Sequence, residues 1–245
     1  MALTFDREQY GNFIDILTAL SKKCSDCEIR NGRIRIRSDN KIVSYDIKLD
    51  DSFNNVSLTI VSISEFLNLA KIFLPTNSKD RVEIDVDDRN LTLKDNFTSV
   101  TTRLASSDVC NNPFITDEEL DKNGINEKIL VFKSRIPFKS LARMQHISKS
   151  FISIINIIIQ ENKSLLTFES ESKTKNAKFD IIPEINDLKI GRKHITNSLI
   201  IDHPFNSDVY LNVYFLQKIN RYLAHIQTND EKTNIYCGII NDENA

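Results

Sequence analysis

The sequence predicts an α+β protein: a domain of antiparallel sheet backed by two helices, present twice. Three observations predict it. Short strand-like runs bounded by Asn, Asp, Ser and Gly recur throughout the 245 residues. Four other stretches carry apolar residues at helical spacing. The order of the two kinds of stretch over residues 1–105 then returns over 128–245, with little identity between the copies.

Leu3 and Phe5 suggest a first strand. Asp6 can cap a helix over Arg7–Lys23, with Tyr10, Phe13, Ile14, Leu17 and Leu20 as its apolar stripe. Cys27–Arg30 and Arg33–Arg37 flank Asn31 and Gly32, a hairpin signal. Ile42–Leu49 alternates, and Val56–Val61 follows as a strand. Ser62 can cap a second helix, Ile63–Phe73, inward along Phe66, Leu67, Ala70 and Phe73 and stopped by Pro75. Strands follow at Arg81–Val86, Leu91–Lys94 and Thr98–Ala105.

Residues 106–127 break the periodicity with Asn111, Asn112, Pro113, an acidic run and Gly124, and read as an interdomain connector. The order then restarts. Lys128–Lys133 is a strand, and Pro137 sits at the first turn of a third helix running to Lys149. That helix turns Phe138, Leu141, Met144 and Ser148 one way and Lys139, Arg143 and His146 the other. Strands follow at Phe151–Gln160, Leu165–Ser170, Ala177–Ile182, Ser198–Asp202 and Asp208–Asn212. A fourth helix is expected over Val213–Ala224, inward along Phe215, Leu216, Ile219 and Leu223. Asn234–Ile240 is the last strand, so the second copy is shorter at its end.

Composition narrows the function classes. No apolar run approaches the roughly 20 residues of a membrane helix, and the first residues lack a signal-peptide pattern. A soluble cytoplasmic protein is expected, in host cytoplasm or nucleoid if the chain is viral. The four cysteines form one C-x-x-C, Cys24 and Cys27, with no second pair to complete a zinc site. Five scattered glycines build no phosphate loop, and the histidines have no metal spacing. Glu83, Asp85 and Asp87 alternate along one strand, with Asp88 in the turn, and read as its solvent side. No catalytic residue, metal or cofactor is expected, and the chain is read as a non-enzyme.

Charge is distributed unevenly. The expected helix faces and ends hold Lys22, Lys23, Lys71, Lys139, Arg143, Lys149, Lys218 and Arg221 against only Glu8, Asp15 and Glu65. That surface is +5 on a chain whose net charge is -2, leaving -7 elsewhere. One basic helix face is ordinary solvation. Four at matching places point to an anionic partner, and the lack of interleaved aromatics favours a phosphate backbone over unpaired bases.

A repeat of helix, strands, helix and strands, joined to its copy by a long connector, resembles the DNA sliding clamps. At this length it is similar to the two-domain type, the T4-like phage clamp and the eukaryotic and archaeal proliferating-cell clamp. The resemblance implies a homotrimeric ring with sheets outside and two helices per domain lining the hole, closed by edge strands such as Thr98–Ala105 and Ala177–Ile182. It implies duplex DNA held without sequence preference, with the eight cations above as its contacts and Lys139, Arg143, Lys218 and Arg221 foremost. It implies a processivity role with a polymerase and a clamp loader as partners. A peptide pocket for those partners maps onto Phe114, Ile115, Ile239 and Ile240, or those four side chains cap their own cores. The alternative is a β-rich structural or interaction protein, such as a virion component or a monomeric processivity subunit. The paired basic helices separate the two, since a structural protein does not need them.

Overall fold

The computed structural model describes residues 2–75, 77, 80–87, 89–104, 106–122, 124–150, 153–160, 163–170, 174–188, 191–195 and 207–241. The chain divides into two compact units. One is Met1–Lys41 with Asp46–Ile115; the other is Ile42–Tyr45 with Thr116–Ala245. The division falls inside the connector expected at 106–127.

The first unit runs β1 (Ala2–Phe5), α1 (Arg7–Leu20), β2 (Cys27–Arg30), β3 (Arg33–Arg37), the end of β4 (Val43–Lys48), whose first three residues group with the other unit, β5 (Ser57–Ile60), α2 (Ile63–Ala70), β6 (Val82–Val86), β7 (Asn90–Lys94) and β8 (Ser99–Arg103). One antiparallel sheet has the order β1-β6-β7-β8, so β8 is an edge. In the other, β2 lies between β5 and β3. Asn31 and Gly32 turn the β2–β3 hairpin with φ of 49° and 70°, the left-handed pair that a tight two-residue turn requires. A Cβ on Gly32 would also meet Asn54 Oδ1 at 2.7 Å.

α1 starts where its capping chemistry dictates. The Gln9 amide donates to Asp6 Oδ1 at 2.9 Å, and Gln9 Oε1 accepts from the Asp6 amide at 3.1 Å. The helix buries all five expected apolar residues, and also Ala19. It packs beside α2, and the buried Tyr10 hydroxyl donates to the Ala70 carbonyl at 2.8 Å. Phe5, Phe13, Phe53 and Phe66 join in one aromatic cluster beneath it.

The second unit runs α3 (Asp117–Lys122), β9 (Lys128–Ile136), α4 (Phe138–Ser150), β10 (Ser153–Gln160), β11 (Lys163–Ser170), β12 (Asn176–Ile181), β13 (Pro183–Asn186), β14 (Gly191–Ile195), β15 (Val209–Leu216), β16 (Arg221–Thr228) and β17 (Thr233–Asn241). Among the described residues its strands lie in the order β12-β11-β10-β14-β17-β16-β15-β9-β13, so β12 is an edge there. β13 and β14 have no counterpart in the sequence reading. The strand expected at Ser198–Asp202 lies outside the described residues.

The helix expected over Val213–Ala224 does not form. The segment is the end of β15, a single 3-10 turn at Gln217–Ile219 and the start of β16. The two strands pair over eight rungs, from Val209 opposite Thr228 to Leu216 opposite Arg221. Asn220 takes φ of 52° to close the turn. β15 also pairs with β9, with a register shift at Val213 and Tyr214. The helical spacing was a coincidence: Leu216 and Leu223 are buried on facing strands, while Ile219, in the turn, is exposed. Val, Tyr and Phe in this stretch favour strand, and strand neighbours on both sides satisfy that preference. Among the described residues, the second unit therefore holds one helix of the repeat, α4, besides the six-residue α3.

Candidate nucleic-acid interface and connector

α4 presents the charge predicted for it. Lys139, Arg143 and Lys149 are exposed along one side with His146, and no carboxylate lies on the helix. Leu141, Met144 and Ser148 are buried on the other side; Phe138, expected among them, is 42% exposed. The first turn is fixed from elsewhere. Asp208, at the foot of β15, accepts from the Phe138 amide at 2.8 Å and from Arg135 Nε at 2.9 Å. Those two bonds hold its carboxyl below the usual range and keep it charged at the positive end of the helix. The neighbouring Arg135 offsets that negative charge.

The helical surface of the first unit is less basic. Lys22 is exposed and Lys23 half-buried just beyond α1, and exposed Lys71 ends α2, where cations suit the helix dipole. Exposed Glu8, Asp15 and Glu65 share these helices, as does Arg7. The result is close to neutral.

Lys218 and Arg221 must be regrouped. They occupy the β15–β16 turn and the first residue of β16, not a helix. Leu216 pairs with Lys128 while Val209 pairs with Ile136, so this turn lies at the opposite end of β9 from the start of α4. Lys218 Nζ donates to the Asp121 carbonyl at 3.3 Å, and its side chain lies against Gly124, whose φ is 72°. Without the fourth helix, the helical surface holds six of the eight cations against the same three acids.

The connector is built into the units it joins. Residues 110–115 belong to the first. The buried Asp26 carboxylate accepts from the Asn111 amide at 2.9 Å, from its side chain at 2.8 Å and from the Ser62 amide at 3.0 Å. Buried Glu28 accepts from the Phe114 amide at 3.2 Å and pairs with Arg30 at 2.7 Å. The Ile115 amide donates to the Arg35 carbonyl at 2.7 Å. The half-buried Phe114 ring sits 5.4 Å and 5.7 Å from the guanidinium carbons of Arg30 and Arg35. Ile115 is buried. Ile239 is buried in the second unit opposite Tyr222, and the side chain of Ile240 lies outside the described residues. The sequence reading missed Asp26 and Glu28. A carboxylate on or just before a short strand gives no signal that its partner lies some 85 residues away.

With this geometry in place, the comparison with known proteins is informative. No protein-family model matches the sequence, and no curated protein matches it. Solved structures do match. A DNA polymerase III beta subunit-like protein from Eubacterium rectale superposes with a TM-score of 0.69 at 14% identity, over 99% of this chain and 66% of that one. The PCNA2–PCNA3 complex from Sulfolobus tokodaii gives 0.66 at 13% identity, over 98% and 99%. The chain has the fold of the DNA sliding clamps. It spans just under two thirds of the first of these proteins and nearly all of the matched chain of the second.

On this clamp fold, the other reactive groups have structural work. Burial pushes the Cys24 thiol up to about 12, helped by Asp39, and pushes Cys27 well above its usual value. Cys110 is also raised by burial. Such thiols are poor nucleophiles and poor metal ligands. Glu83 pairs with Lys94 at 2.8 Å, and Asp87 caps its turn through the Arg89 and Asn90 amides; Asp88 lies outside the described residues. Among the described residues, no cluster of three or more His, Cys, Asp or Glu could hold a metal. No helix among them is long and apolar enough to cross a membrane. His225 is buried between Asn212 and Asn234 and stacks on Tyr236 at 4.3 Å. Burial lowers its pKa to about 4, against a smaller upward pull from the Asn234 bond.

Proposed function

We propose that this chain is a sliding clamp: a non-enzymatic ring of identical copies, three by analogy with the two-domain clamps, that encircles duplex DNA and tethers a polymerase. The observation that carries the reading is a clamp fold bearing a helix, α4, with three exposed cations and no acid. In this reading Lys139, Arg143 and Lys149, with Lys22, Lys23 and Lys71 of the first unit, meet phosphates. Such contacts position DNA without reading bases, so the ring can move along it. A polymerase and a loader are the expected partners. Phe114 is the more accessible of the two connector residues and the better candidate for meeting them.

The ring needs edges that accept a neighbour. Among the described residues β8 and β12 each end a sheet, and such an edge is a template for another strand. These two edges lie in different units, so a contact between them is head-to-tail, which gives a ring when the rotation closes.

Sedimentation gives the first test. A species near three times 28.2 kDa at micromolar concentration is expected, and a monomer at every concentration overturns the ring. On circular DNA, Lys139→Ala, Arg143→Ala and Lys149→Ala combined should shorten retention and lower the salt slope by about 0.9 for each lost phosphate contact. A triple variant with the wild-type slope overturns the assignment of α4.

A further inference from the structure

The two most exposed large apolar side chains among the described residues are Phe97, at 93%, and Ile182, at 86%; the next, Ile72, is at 64%. Each flanks a strand that ends its sheet among the described residues. Phe97 lies two residues before β8, and Ile182 directly follows β12. Nothing in the local turn asks for a phenylalanine. Asp95 organises that turn, its carboxylate accepting from the Phe97 and Thr98 amides at 2.8 Å and 2.7 Å, and the ring is left in solvent.

Consider the two edges meeting antiparallel, as every described strand pair in both units does for which a register is known. Side-chain exposure alternates along each strand. Ser99, Thr101 and Arg103 face out on β8, and Asn176, Lys178 and Asp180 face out on β12. Opposed residues share a face, so outward residues must oppose outward residues. Of the registers that satisfy this, one pairs all five residues of β8 within β12. It sets Ser99 against Asp180, Thr101 against Lys178 and Arg103 against Asn176, with Val100 against Phe179 and Thr102 against Ala177 on the inner face. Sliding one way by a two-residue step sets Arg103 against Lys178, like charges opposed. Sliding the other way leaves the end of β8 beyond β12. Phe97 played no part in choosing the register, yet it places Phe97 opposite Ile182.

We propose that Phe97 of one copy and Ile182 of the next form an apolar latch at one end of the intersubunit ladder. The proposal rests on the ring reading and specifies its contact. The partner is a second copy of this chain. A ladder of five rungs offers few hydrogen bonds, and interfaces draw most of their energy from a few desolvated anchors. The latch supplies that anchor and fixes the register, which strands with polar outer faces fix weakly.

The test uses the full chain carrying Cys110→Ser, since Cys24, Cys27 and Cys237 are buried. Sedimentation first establishes that this chain assembles. Phe97→Cys with Ile182→Cys under copper–phenanthroline should then give covalent trimers on a denaturing gel, and neither single variant should. Phe97→Asp should raise the midpoint concentration of assembly by about 30-fold or more. If Phe97→Cys cross-links to Asp180→Cys in place of Ile182→Cys, or Phe97→Asp assembles as wild type does, the latch is overturned and the ring stands. If the unmodified chain never assembles, the latch and the ring fall together.

Discussion

α1 and α4 follow the first strand of their respective units, yet they are fastened and charged differently. α1 is held by apolar contact along its length and capped by its own Asp6 and Gln9. Its exposed side mixes Arg7 with Glu8 and Asp15. α4 buries only Leu141, Met144 and Ser148, takes its cap from Asp208 some 70 residues later, and carries no charge other than its cations. The copies have divided the work. The first helix contributes stability, and the second presents charge with less core beneath it. A helix with less core beneath it is freer to carry exposed charge.

Three measurements would break or sharpen this contrast. Leu17→Ala on α1 is expected to cost about 2–5 kcal/mol in urea unfolding, because Leu17 is fully buried beneath a well-packed helix. A loss under 1 kcal/mol would mean that α1 is not the fastened one. Acid should act through the second unit. His225 is held near 4 when folded against about 6.5 when unfolded, so the unfolded chain takes up its proton first as pH falls. The stability from the neutral imidazole is fully present above about pH 6.5 and lost towards pH 4, up to about 3 kcal/mol. Melting between pH 7 and 4.5 should show that slope, and His225→Asn should flatten it. The smallest effect is at the borrowed cap. Asp208→Asn should cost about 1 kcal/mol and raise amide exchange in the first turn of α4. Unchanged exchange there would mean that Pro137 alone sets the helix start.

What was legible in the sequence was local. The cap at Asp6, the turn at Asn31 and Gly32, the Ser62 cap and the stripes of α1 and α2 all encode their structure within a few residues, and each forms. What failed was non-local. Leu216, Ile219 and Leu223 fit a helix by spacing, but β9 and β17 compete for the same segment, and their pairing wins. β13 and β14 are short, and only their sheet neighbours define them. The charged site divided in the same way. Lys139, Arg143 and Lys149 follow from one helix read correctly; Lys218 and Arg221 were grouped with them through a helix that does not form. The buried carboxylates Asp26 and Glu28 were invisible because their partners lie across the chain.

Those two carboxylates also bear on how the chain is cut. By composition, residues 106–127 are what a protease should prefer: polar, acidic and interrupted by Pro113. Cleavage needs several residues drawn into an extended groove, which for 111–115 means surrendering the bonds to Asp26, Glu28 and Arg35 together. Nicking should therefore fall at the exposed Ser106–Val109 turn and spare the Asn–Asn–Pro stretch, the opposite of what its letters suggest.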